Sequence, residues 1–184
     1  MKYQKYSFLK RWFQEREYGK LLGARILATQ PDYVISADAP LDSQQIAIRA
    51  THHLDSKFIF WLQDIIGIAT QRILGERFPI IGSLIGTYYI QMEKRILERS
   101  DRVIAISDDF LPLLFDWKIH PQKIKTIPNW ASLSDVSPQL KDNPWARQNG
   151  FSEGYTFMYT GTLGMKHNPE LLLHLAQRFQ ENLR

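Results

Sequence analysis

Short runs of β-branched and aromatic residues punctuate this chain: Tyr33-Val34-Ile35-Ser36, Lys57–Leu62 (KFIFWL), Arg102–Ile106 (RVIAI) and Lys123–Ile127 (KIKTI). Between them lie stretches with apolar residues at helical spacing. Strands that alternate with helices pair in parallel, because a helix-length connection returns the chain to the same end of the sheet. KFIFWL is apolar on both faces, as central parallel strands are. The fold class that follows is α/β, a parallel-sheet Rossmann-like domain.

The connections fit this reading. Phe8, Trp12, Tyr18, Leu22 and Ile26 predict an amphipathic helix that ends near Gln30-Pro31. Asp42 or Ser43 is placed to cap a helix reaching about His53. Ile65–Gly75 reads as helical, and a longer helix runs from Pro79 to about Leu97, with proline at its first position. Ser107 stands to cap a helix at Asp108–Phe115. The polar stretch Ala131–Gly150 reads as a linker with a short helix at Pro144–Gln148.

A last unit follows. Tyr155–Tyr159 alternates bulky β-formers and predicts a fifth, buried strand. Thr160–Gly164 is a loop with two glycines, and a helix opens near Asn168-Pro169 with Leu171, Leu172, Leu175 and Phe179 on one face. A strand, a glycine loop and a helix N-terminus form a ready anion site. Gly161, Thr162, Gly164, Lys166 and His167 are its candidate residues, Lys166 as a mobile point charge. The domains read as 1–150 and 151–184.

Ligands of parallel α/β sheets bind outside the carboxyl ends of the strands. Those ends carry Asp38, Gln63-Asp64, Ser107 and Asn129-Trp130. Asp64, if partly desolvated, could orient or deprotonate a hydroxyl; the plainer role is a helix cap. Asp38 before Ala39-Pro40 either makes the turn or lines the crevice. Trp130 is a loop anchor or a stacking surface for a ring.

Composition narrows the classes. With no cysteine there is no disulfide framework and no zinc-thiolate site, and the histidines have no metal-ligand spacing. The net charge of +4 suits an anionic partner without choosing one. Lys94, Arg95, Arg99 and Arg102 lack interleaved aromatics, so they read as a solvated or membrane-facing surface and not a nucleic-acid site. Phe78–Ile90 (FPIIGSLIGTYYI) is either a buried outer-layer helix or, with Lys94, Arg95 and Arg99, an exposed patch for an anionic membrane. No run reaches a membrane span and no signal peptide is visible, so a cytoplasmic place, at the inner face of the membrane, is the expectation.

In order along the chain stand Phe60-Trp61-Leu62-Gln63-Asp64, Ser107-Asp108-Asp109-Phe110-Leu111-Pro112, Ile127-Pro128-Asn129-Trp130, and Tyr159-Thr160-Gly161-Thr162-Leu163-Gly164 with Lys166-His167-Asn168. Over Pro31–Ala176 this series resembles the family 4 glycosyltransferases, retaining nucleotide-sugar enzymes of the GT-B fold. It is most similar to the bacterial subgroup that builds exopolysaccharide and colanic-acid-like units. The resemblance implies an acceptor-side Rossmann-like domain and the first βα unit of a donor-side one, in a chain truncated at both ends.

It also implies sugar transfer to a saccharide or lipid-linked acceptor, with no cofactor and no metal. Lys166 falls where the family has its diphosphate-binding lysine, Gly161 and Gly164 fall in the phosphate loop, and Thr162 stands where many members carry arginine. Asp64 falls near the position facing the acceptor. Asp38, Gln63, Asn129 and Trp130 would contact substrate. The family's acidic donor-gripping pair is absent from this chain. A non-catalytic remnant, or one subunit of a split enzyme that binds a partner chain, is the alternative.

Overall fold

The computed structural model describes residues 7–132, 136–161 and 168–182. The chain divides into two compact units, 1–129 and 130–184, so the polar segment 131–150 goes with the second. In the first unit the order is α1 (Phe8–Thr29), β1 (Tyr33–Ala37), α2 (Leu41–His53), β2 (Lys57–Leu62), α3 (Ile66–Arg77), α4 (Pro79–Arg99), β3 (Arg102–Ala105), a 3₁₀ turn (Asp108–Phe110), α5 (Leu111–Asp116) and β4 (Ile124–Thr126).

The four strands form one parallel sheet in the order β1-β2-β3-β4. Each strand lies beside its neighbour in sequence, so crossovers of one hand carry the helices to one face. Burial follows that geometry. Phe58, Phe60 and Leu62 of β2 and Val103 and Ala105 of β3 are buried on one face, beneath Ile48 of α2 and Met92, Ile96 and Leu97 of α4. On the other face Ile59, Trp61 and Ile104 are half-buried and Ile35 is exposed. The strand that reads as apolar on both faces is therefore packed on one.

Loop ends are fastened by polar groups. Asp101, after α4, accepts hydrogen bonds from the Phe58 N–H at 2.9 Å and from Lys57 Nζ at 3.1 Å, with His52 Nε2 at 3.3 Å. Burial alone would raise its pKa, but these partners hold it below the usual carboxylate value. Ser107 does cap, with its Oγ accepting from the Asp109 N–H at 3.2 Å. Asp42 and Ser43 do not. α2 begins at Leu41 without a side-chain cap, and both residues are buried in its first turn. Ser43 Oγ instead donates to the Glu15 carbonyl at 2.6 Å, which ties α2 to α1.

α3 and α4 form a helical hairpin held by close backbone approach. A Cβ on Gly82 would fall 2.0 Å from the Leu74 carbonyl oxygen, and one on Gly86 would fall 2.3 Å from Gln71 Cα. The Phe78–Ile90 segment is not the buried outer-layer helix offered as one reading of its sequence. Ile80, Ile81 and Leu84 are exposed, and only the glycines of this stretch are buried.

In the second unit α6 (Pro144–Gln148) is capped by Asn143 Oδ1, which accepts from the Ala146 N–H at 2.9 Å, and α7 spans Pro169–Asn182. The expected fifth strand is absent: residues 155–160 have no ladder partner among the described residues, and Tyr155 is 98% exposed. A strand needs a neighbour to satisfy its backbone. Here the segment is held by a ring contact, Phe157 lying 5.2 Å from Phe179 of α7.

Gly86→Val should lower stability by at least about 2 kcal/mol, because the new side chain meets Gln71 backbone and not a movable tip. Gly75→Ala, with nothing within 4 Å of the added carbon, should be neutral or stabilising by up to about 1 kcal/mol. Urea midpoints followed by circular dichroism compare the two; equal midpoints would contradict the close packing.

Candidate functional site

The parallel sheet brings four strand ends to one side, and their polar residues with them. Asp38 follows β1 with φ at 49°, in the left-handed region that Asp tolerates better than most residues. Gln63 and Asp64 follow β2, Ser107 follows β3 and Asn129 follows β4. Gln63 and Asn129 meet through their amides: Asn129 Nδ2 donates to Gln63 Oε1 at 2.9 Å, and Gln63 Nε2 lies 3.5 Å from Asn129 Oδ1. β2 and β4 flank β3, so this pair bridges the end of the strand between them. Ser107 Oγ is engaged with Asp109, donating to its carboxylate at 2.9 Å.

Asp38 lines a cleft of about 260 Å³ with Arg11 and Glu15 of α1, Ile66 and Thr70 of α3, and Tyr89 of α4. The Arg11 guanidinium pairs with Glu15 at 3.3 Å. Tyr89 Oη donates to Asp42 Oδ2 at 3.0 Å, and Arg16 approaches the other oxygen at 3.6 Å. Burial, and then the Asp42 charge, push the Tyr89 hydroxyl above its ordinary pKa, so it stays protonated and remains a donor.

Asp64 is exposed and does not take the cap position of α3, which Ile65 holds. The capping is done from another helix. Glu93 of α4, fully buried, accepts from the Ile66 N–H at 2.9 Å and the Gly67 N–H at 2.8 Å. Those are orphan donors of the first turn of α3, and a carboxylate there also meets the positive end of the helix dipole. Burial nonetheless wins. It raises the Glu93 pKa to about 7 against the two backbone bonds, and the Asp64 charge adds to the rise.

Sequence reasoning passed over Glu93 and Tyr89. The signal for Glu93 was present. Met92, Ile96 and Leu97 mark the buried face of α4, and Glu93 falls among them at core spacing.

In the second unit Trp130 is 74% exposed and Gly161 has φ at 146°. Thr162, Gly164, Lys166 and His167 lie outside the described residues. No family model, curated protein or solved structure matches this chain. Among the described residues no helix is long and apolar enough to cross a membrane.

Folded Glu93 keeps its proton up to about pH 7, whereas the unfolded chain releases it near 4.5. Between those values the folded state binds more protons, so this group's contribution to stability falls as pH rises through the window and is gone above it. The span corresponds to roughly 3 kcal/mol. Glu93→Gln should flatten the pH dependence of stability from pH 5 to 8 and be no less stable than the parent at pH 8. Chemical denaturation at several pH values reads this directly, and a parent chain that gains stability over the variant as pH rises would refute the assignment.

Proposed function

We propose that this chain serves sugar transfer from a nucleotide sugar to a saccharide or lipid-linked acceptor, as the acceptor-side part of a GT-B glycosyltransferase. The observation that carries the reading is the gathering of Asp38, Gln63, Asp64 and Asn129 at the carboxyl ends of one parallel sheet. The order of motifs along the sequence adds to it. In this reading the paired amides of Gln63 and Asn129, together with Asp38, hold acceptor hydroxyls.

Asp64 takes the proton of the attacking hydroxyl. The acceptor oxygen then bonds to the anomeric carbon on the same face from which the diphosphate oxygen departs, as the bond to that oxygen breaks, so configuration is retained. Glu93 acts as a positioning residue, fixing the start of α3 next to Asp64. The resemblance assigns the leaving diphosphate to Gly161, Gly164, Lys166 and His167 of the second unit.

A second reading is a non-catalytic remnant or a subunit that binds a partner chain. Its support is the exposed apolar surface of the second unit, where Leu171, Leu173 and Phe157 all face solvent.

With the acidic donor-gripping pair absent, the chain alone should turn over little or not at all; the two readings separate when it is completed with a donor-binding domain and assayed with radiolabelled nucleotide sugars and membranes that carry lipid-linked acceptors. Asp64→Asn should lower transfer by at least about 100-fold and leave nucleotide diphosphate affinity unchanged. Lys166→Ala should weaken nucleotide diphosphate binding instead. A completed enzyme that neither transfers sugar nor binds a nucleotide diphosphate would overturn the first reading.

A further inference from the structure

The α3–α4 hairpin is built with its small residues inside and its large apolar residues outside. Gly82 and Gly86 are buried against α3, while Ile80 is 79% exposed and Leu84 68% exposed. Ile81 and Phe78 are exposed beside them. From Pro79 to Met92 the helix carries no charged residue. A water-facing hairpin distributes its residues the other way, with large apolar groups between the helices and charges outside. Small residues at the contact and large ones outside is how helices pack in lipid, where closeness of backbones and not exclusion of water holds them together.

The apolar end also stands apart from the core. The buried core residues of α4 begin at Met92, and α3 packs chiefly on α4. The exposed surface is therefore the convex end of a hairpin, not a groove. Its charges lean positive, with Arg72 and Arg77 against Glu76. Arg77 sits at the turn with its guanidinium 5.6 Å from the Phe78 ring centre, and Arg72 lies a turn earlier on α3, paired with Glu76 at 3.5 Å.

We propose that the end of this hairpin, Phe78 with Ile80, Ile81 and Leu84, seats in the boundary between headgroups and acyl chains of an anionic bilayer, with Arg77 at the phosphates. α4 does not meet the length and apolarity of a crossing helix, so the contact is interfacial. Arginine beside an aromatic ring is a suitable rim for such a contact, because the ring sits at the interface and the guanidinium reaches outward. This inference rests on the hairpin alone and stands whether or not the chain transfers sugar.

The test is cosedimentation of the intact chain with phosphatidylcholine vesicles, with and without phosphatidylglycerol. The chain should pellet with the anionic vesicles and less so at high salt. The double variant Ile80→Glu, Leu84→Glu should bind at least about tenfold more weakly with an unchanged circular dichroism spectrum, since both side chains face water in the free protein. Arg77→Gln should weaken binding to anionic vesicles and leave the neutral ones unaffected. Ile81→Trp supplies a readout that does not depend on the double variant folding, because its emission should shift to the blue on adding anionic vesicles. A chain that stays in the supernatant with both vesicle types, with no emission shift, would overturn the proposal. So would a lipid-free dimer in sedimentation velocity that the double variant abolishes, which would assign this surface to a second copy.

Discussion

The first unit depends on one-sided burial of its central strand. Phe58, Phe60 and Leu62 project to the same side of β2 and are fully covered. Their neighbours in register, Val103 and Ala105 on β3 and Val34 and Ser36 on β1, continue that surface. Each buried large apolar side chain contributes roughly 1.5–3 kcal/mol, so this stripe fixes register: a slip of one residue would turn Lys57 and Trp61 inward. Parallel pairing then forces all carboxyl ends to one side. The gathering of Asp38, Gln63, Asp64 and Asn129 is thus a consequence of how the core is packed, not a separate feature of the fold.

Glu93 shows a competition between two terms of opposite sign. Two backbone N–H groups and a helix dipole favour its anion. Complete burial favours the neutral acid, and Asp64 nearby adds repulsion. The balance leaves the group titrating near neutral pH, the range in which a protonation change is cheapest to make. The same carboxyl joins α4 to the first turn of α3, so its ionisation state bears on the geometry around Asp64.

Much of the fold was legible because its signals are local and periodic. The runs YVIS, KFIFWL, RVIAI and KIKTI became the four strands, and Gln30 ends α1 in the left-handed conformation just before Pro31. Ser107 caps where its side chain suggests. What failed was decided by distant partners. Asp42 and Ser43 have the chemistry of caps, but Tyr89 and the Glu15 carbonyl claim them from other helices. Tyr155–Tyr159 has strand-like alternation, yet alternation supplies no neighbour to pair with, and the segment lies against Phe179 instead. Of the candidate site, the strand ends were legible because topology places them. Glu93 left a trace, a charge at core spacing on α4, but its partners lie on α3; Tyr89 left none, because its partner Asp42 comes from α2.

The hairpin also ties the site to the rest of the molecule mechanically. α3 has Gly67, held by Glu93, at one end and Arg77 at the other. Its 12 residues span about 18 Å as a helix. Gly82 and Gly86 remove the space in which α3 and α4 could slide, so the pair acts as a strut and not as a flexible arm. With its end seated in lipid, such a strut would hold the strand ends at a fixed height of that order above the headgroups. In the proposed function a lipid-linked acceptor is itself tethered to the bilayer and cannot stray far from it. Restricting acceptor and site to the same thin layer raises their effective concentration without any added contact at the reacting atoms. Substitutions that loosen the glycine contact should then impair use of lipid-linked acceptors more than use of soluble ones, because only the former depend on the height and tilt that the strut maintains.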